Sequence, residues 1–156
     1  MKNNRGIMQN RKLPRLLFKN VLVPVDGSEN SYRALLIALA IVKKYKARLL
    51  LIHVIQTPAY LRGHPFGSEY MPIADREARR IVDEGLFLAR KYGIDATGKI
   101  QYAPSVVEAI AGYASKKKVK LIVTGTRGLS GFKKLLLGGV ASGIVSHAHC
   151  EVLVVR

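Results

Sequence analysis

Short apolar runs, each closed by turn residues, alternate along this chain with longer segments of mixed polarity. Asn20–Val25 is almost wholly apolar up to Pro24-Val25-Asp26-Gly27-Ser28, the pattern of a buried strand that ends in a turn. Ser28 is placed to cap a following helix, and Glu29 suits its first turn. From Ala34 to Val42 nearly every position is apolar before charge returns at Lys43, Lys44 and Lys46, which predicts a helix covered over a wide arc. Arg48–Ile55 predicts a second buried strand. Gln56–Met71, with Pro58, Gly63, Pro65 and Gly67, reads as a long loop. An amphipathic helix follows, with Ala74, Ala78, Ile81, Val82, Gly85, Leu88, Ala89 and Tyr92 on its inner stripe and Gly93 at its C-cap. Ala96–Ala103 predicts a third strand, and Pro104-Ser105 opens a short helix through Lys116 with Val107, Ile110, Ala111 and Ala114 inward. Val119–Thr124 is the fourth strand pattern; a helix to about His149 and a strand over Val152–Arg156 close the chain.

Strands alternating with helices imply an α/β fold, a parallel sheet with helices on both faces. The 156 residues fit one domain, here 19–156, behind a polar, basic extension at 1–18. No internal repeat is present, and no apolar run is long enough to span a bilayer. The start of the chain lacks the continuous apolar segment of a secretory signal, and the lone Cys150 excludes an internal disulfide. Both features predict a cytoplasmic protein.

Charge narrows the choice of partners. Lys+Arg 26 against Asp+Glu 10 gives a net +16, which favours anions: nucleotides, nucleic acid or acidic membrane surfaces. The basic residues gather in the leader, Met1–Lys19, and in Lys116–Lys134. Lys116, Lys117, Lys118 and Lys120 read as a solvated helix end beside the negative pole of its dipole. The leader is the better nucleic-acid arm by composition, although Met8 offers a second start.

Candidate chemistry centres on Gly125-Thr126-Arg127-Gly128, nine residues, then Gly138-Gly139, set between a buried strand and a helix. Glycines permit close backbone approach, and a helix start offers free N–H groups to phosphate. The same glycines also serve simply to turn the chain and pack a helix on the sheet. In open α/β sheets ligands lie beyond the carboxyl ends of the strands where the strand order reverses. If the first and fourth strands are neighbours there, the Asp26 loop faces the Gly125 loop. Gly125, Gly128 and the N–H groups of Gly138, Gly139 and Val140 would then hold phosphates, Arg127 would add charge, and Asp26 would accept from a ribose hydroxyl or help hold a divalent cation such as Mg.

The chain resembles the universal stress protein family, in its nucleotide-binding branch, over about residues 19–156. The carriers are Val21-Leu22-Val23-Pro24-Val25-Asp26-Gly27-Ser28, Leu51-Ile52-His53-Val54, Ile122-Val123-Thr124-Gly125-Thr126-Arg127-Gly128, Leu136-Leu137-Gly138-Gly139-Val140 and Val152-Leu153-Val154-Val155. The glycine spacing fits the family motif G-x2-G-x9-G-(S/T). The resemblance implies a Rossmann-like five-stranded parallel sheet in order 3-2-1-4-5, a homodimer paired through the last strand (Val152–Arg156), and ATP or AMP at the glycine loop. By position, Pro24, Asp26 and the backbone of Val54 would contact ribose and adenine. Thr124, Gly125, Arg127, Gly128, Gly138, Gly139 and Val140 would line the phosphate side. Two residues depart from the pattern: Gly139 stands where the motif has Ser or Thr, and Glu151 where the family usually has proline. The first removes a hydroxyl from the phosphate end.

Smaller signals have plain explanations. His147, His149 and Cys150 do not make a full zinc set. His53 reads as a packed or hydrogen-bonded histidine, His64 as solvated in the long loop, and no Ser/His/Asp set is apparent. The expectation is a dimeric, adenine-nucleotide-binding stress or signalling protein without efficient turnover. Its rivals are a nucleic-acid or anionic-surface binder and a slow ATPase using Asp26.

Overall fold

The computed structural model describes residues 18–57, 67–126 and 137–156, with the main chain alone at 67–71. Its elements are β1 (Asn20–Pro24), α1 (Glu29–Tyr45), β2 (Arg48–Gln56), α2 (Gly67–Lys91), β3 (Ala96–Ala103), α3 (Val106–Lys116), β4 (Leu121–Gly125), α4 (Gly139–His147) and β5 (Glu151–Val155). All five strands run parallel in the order β3-β2-β1-β4-β5. This is the open α/β sheet, with β1 and β4 adjacent, that the alternation and the resemblance imply.

The core follows from side-chain alternation along buried strands. Val21 and Val23 of β1, with Leu49 and Leu51 of β2, face Ala34, Leu35 and Ala38 of α1 and Ile81, Val82 and Ala89 of α2. Leu22, Leu50, Ile52 and Ile122 point the other way, against Ile110, Tyr113 and Ala114 of α3 and Ile144 of α4. Val21, Leu22 and Val23 are fully buried, as a strand covered on both faces must be. Each such aliphatic side chain contributes about 1.5–3 kcal/mol. Helix ends obey local chemistry: Ser28 Oγ accepts from the Ser31 N–H at 3.2 Å, Ser105 Oγ from the Glu108 N–H at 3.3 Å, and Gly93, at φ 70°, turns the chain out of α2.

Several boundaries and one burial expectation change. α2 begins at Gly67, so Gly67–Met71 is helix rather than loop, and Pro72 lies inside it. A proline there forfeits one main-chain bond, but it precedes the stripe through Ala78, Ile81 and Ala89 that fastens the helix to the sheet. Tyr92 is half exposed instead of inward, because α2 stops at Lys91 before the stripe would return to it. β4 starts at Leu121, and α4 ends at His147 with extended Ala148 behind it. Within α1 the expected wide cover is one-sided. Leu36 and Ile37 are each 44% exposed, since the sheet and α2 reach only the face of Leu35, Leu39 and Val42. Phe18 belongs to the fold and packs edge-on against Tyr45. Residues 1–17, and with them the rest of the expected extension, lie outside the described residues, as do His64, Arg127 and Gly128.

Candidate functional site

The β1–β4 junction is the point where strand order reverses, and a crevice opens there at the carboxyl ends. It encloses about 350 Å³, within the range of small-ligand sites. One wall comes from the turn after β1. Gly27, at φ 81°, lets the chain reverse where a Cβ would also press on Ile81 at 3.2 Å. Asp26 Oδ1 accepts from the Ser28 N–H at 2.9 Å and the Ser28 hydroxyl at 2.5 Å, while the Asp26 N–H points to Ser31 Oγ at 3.4 Å. That turn fixes the carboxylate and leaves Oδ2 with no protein donor among the described residues. His53 Nδ1 donates to the Val25 carbonyl at 2.8 Å and finishes the end of β1.

β2 runs past the end of β1. The last register pair is Pro24 with Ile52, and the Val25 N–H bonds to the Ile52 carbonyl at 2.9 Å. Parallel pairing alternates, so the main-chain N–H and C=O of Val54 lie on the edge that β1 has vacated. Val54, Val106 and Ile110 give the crevice an apolar side, and Gln56 a polar rim.

The opposite wall is the start of α4. The Gly138 N–H donates to the Thr126 carbonyl at 2.7 Å, and the first intrahelical bond runs from the Ser142 N–H to the Gly138 carbonyl. The N–H groups of Gly139 and Val140, in the first turn, have no intrahelical acceptor. Gly138 is the N-cap and supplies no side-chain cap. A Cβ on Gly139 would meet nothing within 4 Å. Gly125 is different: a Cβ there would lie 2.8 Å from the backbone of Asn30, so glycine is required by the close approach of α1.

The sequence-derived residues therefore divide. Pro24, Asp26, Val54, Gly125, Gly138, Gly139 and Val140 all line one crevice. Thr124 does not: still paired with Val154 in the β4–β5 ladder, it is buried, with its hydroxyl 3.4 Å from the Gly125 carbonyl. Its place on the wall is taken by Thr126, just beyond the strand. Arg127 and Gly128 lie outside the described residues. The reading of the sequence passed over Val25, Ser31, Ile52, Val106 and Ala141, which the crevice also uses. Only the strand-end position of Val25 and the helix-start position of Val106 are signals for them.

Electrostatics stiffen the frame beside the site. The Tyr32 hydroxyl donates to Glu84, which Arg80 also bonds, clasping α1 to α2. Burial first, then the Glu84 carboxylate, push the Tyr32 hydroxyl up to about 12. The Tyr32 hydrogen bond holds Glu84 below the usual carboxylate range. At the far end of α4, His147 Nδ1 donates to the Gly143 carbonyl at 2.9 Å. Burial raises the Cys150 thiol, and Glu151 adds to the effect. Among the described residues no three His, Cys, Asp or Glu side chains cluster as metal ligands, and no helix is long and apolar enough to cross a membrane.

The sequence model of the universal stress protein family matches residues 17–156. The chain belongs to this family. A universal stress protein of Thermus aquaticus is 35% identical over 141 residues, covering 90% of this chain and all of that protein. Among solved structures, the universal stress protein UspA of Lactobacillus plantarum superposes with a TM-score of 0.79 at 25% identity, covering 91% of this chain and 100% of its own. The universal stress protein of Archaeoglobus fulgidus in complex with dAMP shares the fold at a TM-score of 0.69 and 17% identity, covering 90% and 100%.

Proposed function

We propose that this universal stress protein binds an adenine nucleotide, AMP or ATP, in the β1–β4 crevice and acts as a dimeric sensing module in the cytoplasm. The observation that carries the reading is the pairing of two unlike walls: a carboxylate fixed by its own turn, and across from it a helix start whose N–H groups have no acceptor among the described residues. Asp26 Oδ2 accepts from ribose hydroxyls. The vacated edge of Val54 meets the adenine, with Val106 and Ile110 against its face. Gly139 and Val140 donate to phosphate, with Arg127 and Gly128 completing that side. A divalent cation such as Mg would arrive with the nucleotide, with Asp26 the carboxylate nearest to serve it. Fold relatives solved with cAMP, dAMP and AMP support the ligand class.

Binding rather than turnover suits the residues. The Nδ1 of His53 is committed to Val25, and Asp26 is the only acid among the described residues that line the crevice. The position of β5 supports dimerisation through it: among the described residues it is an edge strand paired with β4 alone, with Leu153 exposed on it. Native purification followed by mass spectrometry of released small molecules, with calorimetry against AMP and ATP, tests the reading. An adenine nucleotide leaving with the protein, or saturable one-site binding, is expected. No adenine compound and no binding heat with either would refute it.

A further inference from the structure

The end of the sheet remote from the crevice collects strand starts and helix ends, and its loops are tied together. Asn20 Nδ2 donates to the Lys117 carbonyl at 2.7 Å, the Lys120 N–H to the Asn20 carbonyl at 3.0 Å, and the Arg48 N–H to the Lys19 carbonyl at 2.8 Å. Between these loops lies a depression of about 750 Å³ whose walls carry Lys43, Lys46, Arg48 and Lys117 against Asp95, the single acid among the described residues that line it. A second depression, of about 550 Å³, shares Thr97 and Lys117 with the first and adds Lys99 and Lys116, with Glu108 at its side. The two form one basic track. The ion pairs among the described residues join Arg33 to Glu29 and Arg80 to Glu77 and Glu84, so none neutralises it.

Helix dipoles account for a cation at each helix end, but not for Arg48 and Lys99, which stand on strands. Nor do they explain why Lys46 and Lys118 hold left-handed φ values of 52° and 49°, where glycine is the less strained choice. The track also offers a flat face: Tyr92, 50% exposed, stands in its wall. Among the described residues of its walls, Val42, Leu49, Leu50 and Ile94 are buried, so Tyr92 is exposed there without a branched aliphatic side chain beside it to enter a bilayer.

We infer that this track docks single-stranded nucleic acid, its lysines and Arg48 following the phosphates and Tyr92 stacking on a base, at a site separate from the nucleotide crevice. Fluorescence anisotropy of the full chain with a labelled oligouridylate of about twelve nucleotides, over a range of KCl, tests this. Lys46→Gln/Arg48→Gln/Lys117→Gln lowers affinity about tenfold or more and flattens the salt dependence of log K by about 2, near 0.7 per lost phosphate contact. Tyr92→Ala weakens binding about fivefold with the salt slope unchanged. Lys46→Arg/Lys117→Arg retains affinity, and thermal melting by circular dichroism verifies that each variant is folded. The matched set Arg33→Gln/Arg76→Gln/Arg79→Gln, elsewhere on the surface, leaves affinity near the parent value. The inference is overturned if both glutamine sets cost the same, if the track set costs nothing, if excess AMP displaces the strand, or if the parent binds phosphatidylserine vesicles but no oligonucleotide.

Discussion

Gly139→Ser restores the hydroxyl that the family motif carries and this chain lacks, and its effect can be worked from the crevice. Gly139 is the first residue of α4, and a Cβ there has no neighbour within 4 Å among the described residues, so the added carbon displaces none of them. A hydrogen bond to a charged group is worth about 1.5–3 kcal/mol, and fixing one serine rotamer returns a fraction of that. The net is about 1–2 kcal/mol, or roughly five- to thirty-fold in the dissociation constant. The gain should be larger for ATP than for AMP, because the hydroxyl reaches the phosphate end, and absent for adenosine. Gly139→Ala is the control: it adds the carbon without the hydroxyl. Calorimetric titration of parent, Gly139→Ala and Gly139→Ser with ATP, AMP and adenosine separates the contributions. Equal ATP affinity for the alanine and serine variants, or an equal gain for adenosine, would refute the assignment of α4's start to the phosphates.

Other outcomes follow from the same geometry. Asp26→Ala removes the acceptor of two hydrogen bonds from Ser28 and should cost about 1–2 kcal/mol in denaturant unfolding as well as most nucleotide affinity; Asp26→Asn should keep more of the fold than of the binding. Gly125→Ala drives a Cβ to 2.8 Å from the Asn30 backbone and should destabilise by about 1–3 kcal/mol, read as a lower Tm even without ligand. Tyr32→Phe unhooks the clasp on Glu84 and should cost about 0.5–1 kcal/mol near neutral pH, discounted for solvent screening. The tyrosine hydroxyl sits at about 12 in the folded chain against an ordinary 10. Its contribution is therefore whole below pH 10 and fades as pH rises through 12, so parent and variant stabilities should converge only there. Leu153→Asp should halve the mass seen in light scattering if β5 is the dimer edge; an unchanged mass would place the pairing elsewhere.

The fold was legible because its strands are dense. Val21-Leu22-Val23 and Leu49–Ile52 admit no face that could meet water, which calls for helices on both sides and hence a parallel sheet. The site was legible where residues end a strand or begin a helix, as with Asp26, Gly139 and Val140. It was not legible where the reason is a tertiary approach. Gly125 looks like a phosphate-loop glycine in sequence, yet the backbone of Asn30 explains it, and nothing local announces that α1 comes so near. Thr124 and Thr126 are chemically alike; only the reach of the β4–β5 ladder decides that the second meets the crevice. Apolar runs also overstate cover: Leu36 and Ile37 fit an inward pattern but stand outside what α2 and the sheet can reach.

The bond from the Gly138 N–H to the Thr126 carbonyl, at 2.7 Å, has a consequence for how such proteins can diversify. It pins Thr126, just past β4, to Gly138, the N-cap of α4, on the wall of the crevice. Once a ring is closed at its base, lengthening it is cheap, about 0.6 kcal/mol for each doubling. A change in the number of residues between Thr126 and Gly138 should therefore cost little stability, and the sheet beneath should keep its register.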